Sequence, residues 1–245
     1  MRPLRFAVFA IALLIALPAN AQGVFPASDG CGNRASIALV LAIDVSASIG
    51  QVEWELEKNG YVAAFRDRDV VETILLPCGR IAVTVVQWSS VVLQTQSIPW
   101  TLLDSRESIA GFVANLEAMQ RIASHSTSVA GGIEFSLAMF DRLPFPAARR
   151  VVDISGNGRD DYRPPAIYDL HIQVPTVEEE RARAIGLGVT INGLSIQDED
   201  AAYDVHAYYR DNVITPDGFL IRAEGFEDFS RAIRQKLLLE IAELN

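Results

Sequence analysis

Asp44, Ser46 and Ser48 put three oxygen-bearing side chains at alternate positions of one short run, Ala42-Ile43-Asp44-Val45-Ser46-Ala47-Ser48. In an extended segment the spacing i, i+2, i+4 points all three to one side. One carboxylate and two hydroxyls gathered in this way are hard oxygen ligands, suited to Mg²⁺ or Mn²⁺, with Ca²⁺ as a third candidate. The same residues have a plainer use, because Asp and Ser satisfy free N–H groups at the start of a following helix. Capping needs one such residue, and here there are three.

The elements around this run must place it at a strand end. Ile37–Ile43 is a continuous apolar run without alternation, as expected of a central parallel strand covered on both faces. Apolar positions from Gln51 to about Asp69 approximate helical spacing. Arg80–Trp88 and Val91–Ile98 are β-rich runs on either side of Ser89-Ser90, predicting a hairpin. Asp104 is placed to cap a helix reaching about Met119, and Val129–Phe140 supplies another. Arg150–Ser155 predicts a strand that runs into Gly156-Asn157-Gly158, and a polar, Pro-containing loop follows to about Pro175. Thr176 is a helix cap ahead of Glu178, Glu179 and Glu180, with Gly186 and Gly188 stopping the helix. The strand Val189–Ile196, a short helix Ala201–Tyr209, an edge strand Phe219–Ile221 and a closing helix Phe226–Glu243 complete the chain. The alternation predicts an α/β fold: a doubly wound, mostly parallel sheet with one antiparallel edge strand and helices on both faces. Ligands are then expected at the carboxyl ends of the strands.

Composition narrows the function classes. The 245 residues are half hydrophobic, enough for one sizeable core, and carry a net charge of −10. That charge rules against nucleic acid as partner, because tracking phosphates needs clustered Lys and Arg. Two Cys exclude a disulfide-dense scaffold or a four-thiolate zinc site, and three His give poor support to a His-rich catalytic metal site. Arg2 and Arg5 precede the apolar run Phe6–Leu17, and Ala19-Asn20-Ala21 follows. This is the pattern of a secretory signal cleaved after Ala21, and the run is too short for a comfortable membrane span. The expected organisation is therefore a signal peptide over 1–21, a lead-in segment over 22–35 and one domain over 36–245. The mature chain keeps 19 basic and 31 acidic residues, a charge of −12. In an exported, periplasmic or secreted protein, Cys31 and Cys78 are the available disulfide pair. Closing that loop would stabilise the fold by ~4 kcal/mol in the chain-entropy model.

The order of elements and the Asp44-x-Ser46-x-Ser48 run resemble the von Willebrand factor A (integrin I-like) fold and its metal-ion-dependent adhesion site, over about Ser36 to Glu243. The resemblance is close to a bacterial group of exported A-domain-like proteins of unknown function. It matches Asp44, Ser46 and Ser48 to the family's first motif without gaps. Thr127, in Ser126-Thr127-Ser128-Val129-Ala130-Gly131-Gly132, resembles the second element, a role that Ser126 or Ser128 could also fill. The third element departs from the pattern. Where the family ends its fourth strand with Thr-Asp-Gly, this chain reads Asp153-Ile154-Ser155-Gly156-Asn157-Gly158, which puts Gly156 at the Asp. Asp153 from within the strand, or Asn157 from the loop with Asp160 or Asp161 near, is then left to serve the metal. The resemblance implies a non-enzymatic module whose cation, held by Asp44, Ser46, Ser48, Thr127 and Asp153, binds an acidic side chain of a protein or envelope partner. A metal-free interaction module of the same fold is the alternative. A serine hydrolase built around His125 between Ser124 and Ser126 has no Gly-x-Ser-x-Gly run to support it.

Overall fold

The computed structural model describes residues 34–122, 125–161, 174–198 and 201–242. The segment expected to be a signal peptide, most of the expected lead-in with Cys31, and Ser124 lie outside the described residues. Six strands form one sheet: β1 (Ala35–Asp44), β2 (Ile81–Trp88), β3 (Gln94–Leu103), β4 (Ala147–Gly156), β5 (Thr190–Ile196) and β6 (Leu220–Ala223). Their spatial order is β3-β2-β1-β4-β5-β6, with β2–β3 the antiparallel pair and the other neighbours parallel.

β1 lies at the centre, every residue of it buried, which is why its sequence is an unbroken apolar run. Its side chains alternate between two cores. Ile37, Leu39, Leu41 and Ile43 join the core beneath α1 (Gln51–Arg66), α3 (Arg106–Ala118) and α7 (Phe229–Ala242). Val40 and Ala42 face α4 (Val129–Met139) and α5 (Val177–Gly186). The helix expected over 51–69 is two helices. Asp67 ends α1 with extended backbone, and its carboxylate accepts from Asp69 and Val70 N–H to start α2 (Arg68–Ile74). Ser105, not Asp104, caps α3, in a reciprocal box with Ser108. Thr176 and Glu179 form the box that starts α5, and Gly188 takes φ 62° just past the helix end. The expected helix over 201–209 starts later, as one α-turn at Val205–Tyr208 (α6), and runs on through a π-helical turn, Tyr209–Val213.

Strand order decides where a ligand can enter. From β1 the chain winds outward to β2 and β3, and from β4 it winds the other way to β5 and β6. The loops leaving β1 and β4 therefore part company, and a crevice opens between them at the carboxyl edge of the sheet. Asp44 is the last residue of β1, and Asn157 is the first residue past β4.

Candidate metal centre

The strand ends at Asp44, so the pleat does not align the three oxygen side chains as expected. An Asx turn gathers them instead: the Asp44 carboxylate accepts from the Ser46 N–H at 2.7 Å, folding the chain back at once. Ile49 N–H then bonds Ser46 carbonyl at 3.0 Å, and the Ser46 and Ser48 hydroxyls meet at 3.2 Å. Arg121 pins this turn from below, donating to the carbonyls of Val45 and Ser46 at 3.1 Å each, and of Ile49. None of the three side chains caps α1: its N-cap is Gly50, with no side-chain bond.

Thr127 joins them across the crevice. Ser128, not Thr127, caps α4, by accepting from Gly131 N–H at 3.1 Å. Thr127 is held by its backbone, which donates to the Asp161 carboxylate at 2.9 Å and accepts from Asp161 N–H at 3.1 Å. Asp160 beside it accepts from Ala130 N–H at 3.0 Å in the first turn of α4. Asn157 links the two sides: its Oδ1 accepts from the Ser48 hydroxyl at 2.9 Å, and its Nδ2 donates to Asp198 at 2.9 Å. Ser48, Thr127, Asn157, Asp161, Asp198 and Tyr203 line one cavity of about 410 Å³. A second cavity of about 870 Å³ shares Asp198 and Tyr203 with it.

Asp44 is fully buried beneath this pocket. Its Oδ2 has no hydrogen-bond donor among the described residues. Burial pushes its carboxyl up to about 7, against the opposing pull of the Ser46 bonds and Arg121. A second buried acid, Glu57 of α1, stands behind it; burial raises its carboxyl too, and Asp44 adds to the shift. Glu57 accepts from the Ser155 hydroxyl at 2.9 Å. Sequence reasoning missed Glu57, because it sits on a helix with no motif to mark it.

Gly156 explains the departure in the third motif. A Cβ there would come within 2.9 Å of Asp44 Oδ2 and closer still to the Tyr209 hydroxyl, so any side chain would have to displace one of them. The next residue, Asn157, is the one that turns a side-chain oxygen toward Ser48. Three tyrosines after β5 hold this loop. Tyr203 and Tyr208 accept from Arg159 and Asp160 N–H at 2.6 and 3.1 Å, while Tyr209 packs on Gly156.

Asp153 is a correction. It pairs in register with Leu41 and so faces the α1–α7 side, whereas Asp44 follows Ala42 toward the opposite side. Its carboxylate lies 2.8 Å from Lys236, which also meets Glu240 at 2.6 Å, all three fully buried. A carboxylate already matched by an ammonium on the far face of the sheet does not serve the pocket. Cys78 occupies the turn before β2 at φ 66°, and its expected partner Cys31 lies outside the described residues. His125 is exposed, its N–H spent on Ser89 Oγ at 2.8 Å. The serine–histidine contact that does form, Ser195 with His206 at 2.9 Å, has a fully buried serine that a substrate cannot approach.

The donors at the pocket, one buried carboxylate, hydroxyls and an amide oxygen, suit a hard cation. Among the described residues no group of three or more His, Cys, Asp or Glu converges as a metal cluster. Any cation would thus rely on neutral oxygens for most of its shell.

Solved structures with this fold include proximal thread matrix protein 1 from the mussel byssus. It is 15% identical, with a TM-score of 0.59 over 86% of this chain and 47% of its own. A second form of that protein has a zinc-occupied MIDAS motif (16% identical, TM-score 0.57, 86% and 46% covered). The pilus adhesin SpaC of Lactobacillus rhamnosus GG is 12% identical, with a TM-score of 0.56 over 86% of this chain and 31% of its own. The chain thus spans less than half the length of these proteins, and identities so low establish the fold alone. No curated protein sequence matches the chain. The topology is that of a von Willebrand factor A domain, and since residues 34–245 match the family model described as protein of unknown function (DUF1194), the chain belongs to that family.

Proposed function

We propose that the chain is an exported, non-enzymatic binding module. Asp44, Ser46, Ser48, Thr127 and Asn157, with Asp161 behind Thr127, would hold a divalent cation, Mg²⁺ or Mn²⁺ before Ca²⁺. An acidic side chain of a protein or cell-envelope partner would complete its shell. The cation would supply positive charge and an open coordination position; the chain supplies the rigid oxygen frame.

One observation carries this reading. Asp44 is a fully buried carboxylate with an oxygen that has no donor among the described residues, and it is joined through Ser46 to Ser48, which lines the pocket. Burying a carboxylate without a partner is costly, and a cation from solution would remove the cost. The fold neighbours named above support the class, since one carries an occupied MIDAS motif and another is an adhesin. The neutral Asn157 at the third position favours a second reading, a metal-free interaction module. Calorimetry separates the two. Metal-free mature protein titrated with Mn²⁺ should give a saturable heat that Asp44→Ala abolishes, an affinity loss of about 100-fold or more. Equal heats for the two proteins would leave the metal-free module.

Export and the Cys31–Cys78 disulfide belong to the same proposal. An intact mass showing Gln22 as first residue and a loss of two hydrogens, restored by reductant, would establish both.

A further inference from the structure

Arg159 stands at the mouth of the pocket and takes no part in the oxygen frame. Its guanidinium lies 4.9 Å over the centroid of the Tyr203 ring, and its own N–H donates to the hydroxyl of that tyrosine at 2.6 Å. Backbone and head group are thus both tied to one residue, which restricts the side chain before any ligand arrives. Stacking uses the face of the guanidinium and leaves its five N–H donors free in the plane. No carboxylate among the described residues lies within ion-pair distance of it, although Asp161 and Asp198 line the same cavity. Arg66, Arg183, Arg210, Arg231 and Arg234, by contrast, each hold a carboxylate. A planar donor fork that lines a cavity and has no carboxylate partner among the described residues is complementary to a planar anion that accepts two parallel hydrogen bonds. Asp161 and Asp198 make the rest of the wall repel such an anion, so the entry of one depends heavily on this single arginine.

We propose that Arg159, stacked on Tyr203, grips a carboxylate of the ligand at the pocket mouth through its own contact, separate from any cation. The proposal rests on the reading of this pocket as the ligand site and adds a residue that selects acid over amide. Lys does not replace Arg here, because an ammonium lacks the fork and stacks less well on the ring.

Isotope-labelled mature protein titrated with the end-capped peptide acetyl-Gly-Gly-Asp-Gly-Gly-amide, in Mg²⁺ and separately in chelator, tests this. In chelator, where no cation can favour the acid, the Arg159 Nε–Hε resonance should shift, and the Asp peptide should bind ~10-fold tighter than its Asn counterpart. Arg159→Gln should lose that ~10-fold preference, and Arg159→Lys should keep about a third of it. Calorimetry with Mg²⁺ alone should give Arg159→Gln the wild-type affinity. No binding of the Asp peptide by wild type, equal binding of Asp and Asn peptides, or an unchanged Arg159→Gln would overturn the proposal. So would a phosphoserine peptide that binds more tightly than the Asp peptide and loses as much in Arg159→Gln. If Mg²⁺ gives no heat with any variant while Arg159→Gln still loses the Asp peptide, the metal reading fails and the arginine grip stands.

Discussion

Two aspartates on adjacent central strands, Asp44 of β1 and Asp153 of β4, are both fully buried, and burial raises the carboxyl of each. Their surroundings differ in one respect. On the α1–α7 side the chain supplies the countercharge: Lys236 reaches Asp153 and Glu240, Asn192 donates to Glu240 at 3.1 Å, and the Lys236 ammonium lies 4.9 Å from the Phe219 ring centroid. At the crevice no cation among the described residues lies within ion-pair distance of Asp44, and Arg121 gives its Nη2 to backbone carbonyls. A buried acid completed by its own chain is part of the scaffold. A buried acid left incomplete at an open edge is where an outside partner has most to offer.

Removing the internal countercharge is the severest way to test that contrast. Lys236→Met should destabilise the fold by about 3–5 kcal/mol in urea unfolding at pH 8, because two buried carboxylates lose their ammonium. Replacing Lys236, Asp153 and Glu240 together with apolar residues should recover most of the loss; if it does not, the cluster does more than neutralise itself.

Asp44 should reveal itself through pH. Its carboxyl titrates near 7 in the fold and at 3.8 when unfolded, so between those values the folded chain keeps a proton that the unfolded chain has released. Stability contributed by that proton is present in full below about pH 4 and is lost as pH rises toward 8, by roughly 4 kcal/mol at most. Asp44→Asn in chelator should flatten this part of the profile, and saturating Mg²⁺ should do so in wild type. A wild-type profile unchanged by Mg²⁺ would mean that the incomplete acid takes no partner.

The smallest effect concerns Gly156. Gly156→Ala should cost about 1–3 kcal/mol, because its Cβ meets Asp44 Oδ2 and the Tyr209 hydroxyl. Tyr209→Phe in the same chain should reduce that penalty. If Gly156→Ala proves neutral, the crowding at Gly156 does not constrain this loop.

Much of this was legible beforehand. Apolar runs marked β1, β2, β4 and β5, since strands covered on both faces admit little else, and the alternation with helices implied the sheet. Asp44, Ser46 and Ser48 were legible as a group because their residue types are unusual directly after a buried strand and before a helix, whereas Thr127 was suggested by the family resemblance alone. Asp153 was misassigned because a linear reading gives no facing. One position of β-register separates the pocket side from the α7 side, and Lys236 lies 83 residues further along the chain. Glu57, Arg121 and the three tyrosines carry no local signal, so only their meeting makes them relevant.

The amino-acid order alone determined the α/β class, the central strand and which oxygens stand at its end, because those follow from local burial and spacing. Which aspartate is neutralised by a lysine, why a glycine must stand at 156, and which loop closes the crevice were decided by tertiary structure. They depend on which face of the sheet each side chain takes and on which distant segment packs against it, quantities that no neighbour in sequence controls.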